Sequence, residues 1–175
     1  MKKLAIIIVI AFISITGISQ INYQGVVKSK SNLIKVNENS YKYYTVNKKD
    51  NTLQLFNLDN SLWKSIELSI PEEEWFDEIL YISTTEFNPD SNVEIVFTTY
   101  METYSNFFGD VETIVYDNYT LFIVNELGEE ILKVDGGRTF DLIKDNESGK
   151  VFLIDVYTDE EFFPDYKKTF VYSLY

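Results

Sequence analysis

The stretch YTLFIVNELGEEILKV, Tyr119 to Val134, leaves a chain few ways to fold. Apolar side chains fill a short run, a tight turn follows at Leu127-Gly128, and a second apolar run returns. That is the signature of a strand, a turn and a strand. Two other places echo it: NTLQLFNLDNSLWKSIEL from Asn51, and KTFVYSLY from Lys168 to the terminus. One unit used three times predicts a chain of antiparallel meanders joined by connections.

Taken in order, Gln20 to Asn39 is a polar lead-in whose alternating GVVKSKSNLIKV predicts a first edge strand. YKYYTV (41–46) is a strand, and NKKDN turns the chain into TLQLFNL (52–58). There Leu53 and Leu55 point one way and Gln54 the other. LDNS makes a turn and LWKSIELSI returns. PEEEWFDEIL begins with proline and three glutamates, which suit the first turn of a helix. We expect up to two helical turns there, packing Trp75, Phe76, Ile79 and Leu80 on the sheet. The second unit then runs ILYIST, the loop TEFNPDSN, and strand VEIVFTTY (93–100). A long irregular connection, 101–119, precedes the opening hairpin, and its VETIV is a candidate inserted strand. Asp135-Gly136-Gly137 turns into the third unit: TFDLIK, a DNESG turn, KVFLIDVY, the acidic loop TDEEFFPDYK, and TFVYSLY. ILYIST-TEFNPDSN-VEIVFTTY aligns with TFDLIK-DNESG-KVFLIDVY, and the loops that follow share a phrase, SNFFGD and EEFFPD.

The expected fold class is therefore all-β: about three antiparallel four-stranded meanders of roughly 50 residues, like propeller blades, with a β-sandwich as the alternative. Three blades do not close a ring, and the third lacks its fourth strand. Either the chain is the front of a longer protein, or its sheets stack into a sandwich or open superhelix. The last strand, 168–175, exposes an edge at Phe170, Tyr172 and Leu174 that invites pairing with a partner.

Composition supports this reading. Beyond Ala5 and Ala11 the chain has no alanine, and it is rich in Tyr, Phe, Val, Ile and Thr, whose shapes suit a pleated surface. Met1-Lys2-Lys3 followed by the charge-free LAIIIVIAFISI, with small residues at Gly17 and Ser19, predicts a secretory signal peptide over 1–19. The apolar run is too short to span a bilayer. The mature chain, 20–175, is expected to be a single all-β domain without a membrane span, located in the periplasm, at the cell surface or outside the cell. The absence of cysteine excludes a lipid-modified lipoprotein and suits an exported bacterial protein. The 28 acidic residues give a net charge of −13, which falls to −15 once Lys2 and Lys3 leave with the signal. Such a surface repels nucleic acid, and with Arg138 as the sole arginine an arginine-rich phosphate site is excluded.

The chain has no histidine, which removes His-dependent nucleophile systems and the usual zinc and iron sites. Gly136-Gly137 with Arg138 lacks phosphate-loop spacing and reads as a turn between meanders. Three possibilities remain. Carboxylate chemistry would use acids beside aromatics, with Asp155, Asp165 and Asp110 as candidates; each also fits a solvent-facing residue. Calcium would be held by alternate oxygens at Asn88, Asp90, Asn92 and Glu94, or by Asp159, Glu160, Glu161 and Asp165, residues that turns use in any case. No other cofactor is expected. Recognition would use the twin loops, whose Phe107-Phe108 and Phe162-Phe163 emerge at one edge if the units are true repeats. Such pairs suit a protein or carbohydrate partner.

The leader MKK…ISQ with its Ser-Gln junction, and phrases such as YTVNKKDNTLQLFNLDNSLWKSIEL and FIVNELGEEILKVDGG, resemble the amino-terminal regions of cargo proteins for the type IX secretion route. The resemblance covers most of the mature chain and implies export, with no single activity and no site residues. The family's YPNP-like sorting phrase is absent. The leading expectation is an exported, non-enzymatic β-repeat module for binding or surface display. The alternatives are a carbohydrate-active enzyme, or part of one, and a small exported inhibitor or immunity-type protein.

Overall fold

The computed structural model describes residues 32–87, 90, 92–104, 115–145, 149–157 and 167–174. Among them lie eleven strands and no helix: β1 (Asn32–Asn37), β2 (Ser40–Asn47), β3 (Thr52–Phe56), β4 (Leu62–Glu67), β5 (Trp75–Ser83), β6 (Glu94–Tyr104), β7 (Val115–Asn125), β8 (Glu130–Asp135), β9 (Gly137–Asp145), β10 (Gly149–Tyr157) and β11 (Lys167–Leu174). They form three antiparallel meanders in chain order, β1-β2-β3-β4, β5-β6-β7-β8 and β9-β10-β11. The all-β expectation of antiparallel meanders holds, consistent with the blade-like reading and with the sandwich alternative alike, and the opening hairpin is the third and fourth strand of the second sheet. Its turn closes as the sequence implies. Gly128 takes φ 80° and its N–H donates to the Asn125 carbonyl at 3.0 Å, while the Asn125 side chain accepts from the N–H groups of Leu127 and Glu129, each at 3.0 Å. The signal-peptide stretch, 1–19, lies outside the described residues.

The sheets pack face to face, with the second in the middle. One core joins the first and second sheets through Val36, Leu53, Leu55, Ile66, Phe76, Ile79, Ile82, Ile95, Phe97, Phe122 and Val124. A second core joins the second and third through Val96, Leu121, Ile123, Val134, Phe152, Ile154 and Val156. Neighbours along β6 and β7 therefore point into different cores, which is why IVF (95–97) and LFIV (121–124) are continuous apolar runs rather than alternating ones. Phe97 stacks on Phe122 with ring centroids 5.3 Å apart, anchoring the first core. Backbone links tie the layers where they meet. Thr84 N–H donates to the Val36 carbonyl at 3.1 Å, Gly136 N–H to Tyr119 at 2.7 Å, and Tyr157 N–H to Gly136 at 3.0 Å.

Two expectations are corrected. The predicted helix over 71–80 is a turn, with Glu74 N–H donating to the Pro71 carbonyl, followed by strand β5. Two irregularities in the β5–β6 register, between Phe76 and Ile79 and between Ile79 and Tyr81, place the buried Phe76, Ile79 and Ile82 three residues apart. That spacing imitates a helical face. Bulges also free backbone carbonyls, and Lys48 donates to those of Phe76 and Asp77 at 3.3 Å each. The connection expected over 101–119 is shorter, because β6 and β7 pair without interruption from Glu94↔Asn125 to Tyr104↔Val115.

Candidate functional site

The seam between the second and third sheets has two differently built ends. At one, where β5 and β9 finish, a cleft of about 410 Å³ is lined by Lys35, Asn37, Glu38, Tyr81, Glu86, Phe140, Asp141, Leu142 and Lys144. Its deepest acid is Glu86, just past β5. Glu86 Oε1 accepts from Lys144 at 2.6 Å and Oε2 sits 2.9 Å from the Lys150 ammonium. The Glu86 side chain is 7% exposed, and those of Lys144 and Lys150 are 51% and 40% exposed. Burial pushes the Glu86 carboxyl up, but the two ammonium groups outweigh this and hold it below the usual carboxylate range. Lys144 is raised in turn by its hydrogen bond to Glu86. Burial, with the Glu86 charge nearby, raises the Tyr81 hydroxyl. An acid that stays ionised and engaged on both oxygens is a poor proton donor, so this end reads as an ionic clamp that fastens the loop after β5 to the third sheet.

At the other end, three aromatics stand side by side across three strands. Trp75 on β5 is the register partner of Tyr100 on β6, and Tyr100 that of Tyr119 on β7. Register partners share a face, and here it is the face turned towards the third sheet. Trp75 is 64% exposed. Tyr100 and Tyr119 are half-buried, with ring centroids 6.3 Å apart. Arg138, exposed on β9, lays its guanidinium 4.5 Å from the centre of the Tyr119 ring and 5.8 Å from that of Tyr157. The glycines make this arrangement possible. Gly136 turns the chain from β8 into β9 at φ 77°, and a Cβ on Gly137 would lie 2.8 Å from the Leu121 Cβ, so the third sheet approaches closely only without one. The reading of these glycines as a turn between meanders therefore holds.

Among the expected site residues, Phe107, Phe108, Phe162, Phe163, Asp110, Asp165, Asn88, Asp159, Glu160 and Glu161 lie outside the described residues. The strands that lead into the twin loops are informative all the same. Tyr119, near the start of β7, and Tyr157, at the end of β10, meet on either side of Gly136. Asp155 accepts a hydrogen bond from the Thr169 hydroxyl at 2.7 Å on the outer face of the third sheet, opposite to the face that packs on the second. Asp90 accepts from the backbone and side-chain nitrogens of Asn92, each at 2.8 Å, as a turn residue does. Glu94 is fully buried opposite Ser83 and Asn125. Among the described residues no three His, Cys, Asp or Glu side chains are grouped to hold a metal ion, and no helix is long and apolar enough to cross a membrane.

Sequence reasoning missed both the Glu86 clamp and the Trp75 row. The helical spacing of Phe76, Ile79 and Ile82 hides the strand partners of Trp75. Glu86, in TEFNPDSN, carries no motif that points to lysines some 60 residues away. No family model, curated protein or solved structure matches this chain.

Proposed function

We propose that this protein is an exported, non-enzymatic binding module that takes carbohydrate on its aromatic end. The observation that carries the reading is the Trp75–Tyr100–Tyr119 row with Arg138 laid on Tyr119. The Tyr100 and Tyr119 rings stand 6.3 Å apart, tilted by 43°, and the exposed Trp75 side chain continues their row on the next strand, so the end offers an extended aromatic strip. Aromatic faces supply contact area at low entropic cost, and the guanidinium supplies donors for hydroxyls. A surface of net charge −13 favours an uncharged partner over a polyanion. The signal peptide and the likeness to type IX cargo would put the module where extracellular glycans are found. Affinity electrophoresis through gels containing a soluble β-glucan, a xylan or an α-glucan tests it. We expect retardation in at least one gel, abolished by Trp75→Ala. Unretarded wild-type migration in all three would sink the carbohydrate reading, and release of reducing sugar that Asp155→Asn abolishes would favour the enzyme instead.

A further inference from the structure

We propose that the two outer faces of the stack bind a second copy of this chain, the third sheet of one molecule packing against the first sheet of the next. The first sheet turns outward an unbroken apolar row that crosses all four strands: Leu33, Tyr43, Phe56 and Leu62 are successive register partners. Leu33 and Leu62 are 58% and 55% exposed. The third sheet turns outward Ile143 opposite Val151, and Leu153 opposite Val171, with Val171 67% exposed. Charged residues stand at the margins of both apolar faces, Lys35 and Glu67 on the first sheet and Asp141 and Asp155 on the third.

The repeat itself indicates what belongs there. In the alignment of the second and third units Leu153 takes the place of Val96, which is fully buried where the second sheet meets the third. In the alignment of the hairpins Phe56 takes the place of Val124, which is 2% exposed where the second sheet meets the first. Each outer face is thus the counterpart of a face already packed inside the chain. A second copy would continue an interface that the molecule makes twice with itself. Because the contact is head to tail between faces on opposite sides of the stack, two copies leave one face of each kind uncovered, and further copies extend the array.

Light scattering after size exclusion, on protein recovered from a host expressing all 175 residues, tests this. We expect the mass of two copies or more at micromolar concentration. Leu33→Glu and Val171→Glu should each give a one-copy mass with an unchanged strand signal in circular dichroism. An equimolar mixture of the two should recover a two-copy mass, since each retains the face the other has lost. A one-copy mass for wild type would overturn the proposal. So would a two-copy mass that persists in both single variants, which would point to edge pairing through β11. A mixture that stays at one-copy mass would overturn the head-to-tail arrangement.

Discussion

The two ends of the seam between the second and third sheets solve the same problem in opposite ways. At the Glu86 end a buried acid is neutralised by two lysines, and both its oxygens are engaged. At the Trp75 end aromatic faces and a guanidinium are held in place by backbone hydrogen bonds around Gly136, and the largest of the rings is left to solvent. Charges satisfied by one another hold a fold together and have little left for a ligand. An exposed tryptophan in line with two tyrosines stabilises little and offers much. The comparison separates a structural end from a recognition end. Substitutions should show that stability and binding follow different residues.

The largest effect is expected between the ends, where both depend on the close approach of β9 to β7. In Gly137→Val the new Cβ would lie 2.8 Å from the Leu121 Cβ and 3.0 Å from the Val134 carbonyl oxygen. Neither atom belongs to a flexible tip, so the third sheet must move. We expect a loss of about 3 kcal/mol in urea unfolding and weaker ligand retardation together. If Gly137→Val left both unchanged, the two ends would not share a framework.

Next comes the clamp. Glu86→Gln removes charge-assisted hydrogen bonding at a mostly buried position, with partners that can still reach water. A loss of about 1–3 kcal/mol follows, with ligand retardation intact. Its pH dependence is the sharper test. The folded pKa of Glu86 is depressed, so its contribution is present above the ordinary carboxylate range and is lost as pH falls through the folded value. The folded pKa of Lys144 is raised, so its contribution is present below the ordinary lysine value and is lost as pH rises through the folded one. Wild type should lose stability on acidification more steeply than Glu86→Gln, and the two unfolding-against-pH curves should converge at low pH. Parallel curves would mean that the clamp does not contribute.

How much of this was legible in the sequence depended on the range of the interaction. Hairpins are local, so the Leu127-Gly128 turn, the repeated units and the all-β class could be read from neighbouring residues. The packing order leaves a local trace as well, because the continuous apolar runs IVF (95–97) and LFIV (121–124) mark strands covered on both faces. What failed was local evidence altered by non-local pairing. Bulges forced on β5 by its match to β6 set Phe76, Ile79 and Ile82 at helical spacing, and the glutamates before them completed the imitation. The clamp and the aromatic row were illegible for a related reason. Glu86 meets Lys144 and Lys150, and Tyr119 meets Arg138, only because Gly136 folds the third sheet onto the second.

The smallest expected change in stability is the one that most sharpens the comparison. Trp75 begins β5 with most of its surface in water, so Trp75→Ala removes little buried area and should shift unfolding by about 0.5 kcal/mol or less. Arg138→Ala forfeits an exposed cation–π contact, about 0.5–1 kcal/mol. If the aromatic end were only a rim of the fold, these modest numbers would be the whole consequence. If it is the recognition surface, Trp75→Ala should abolish retardation in the polysaccharide gel while the protein remains folded, and Arg138→Ala should reduce it. Glu86→Gln, which destabilises more, should leave retardation at the wild-type level. That inversion, with the least stabilising residue carrying the most binding, cannot arise from partial unfolding, because partial unfolding would rank the variants the other way.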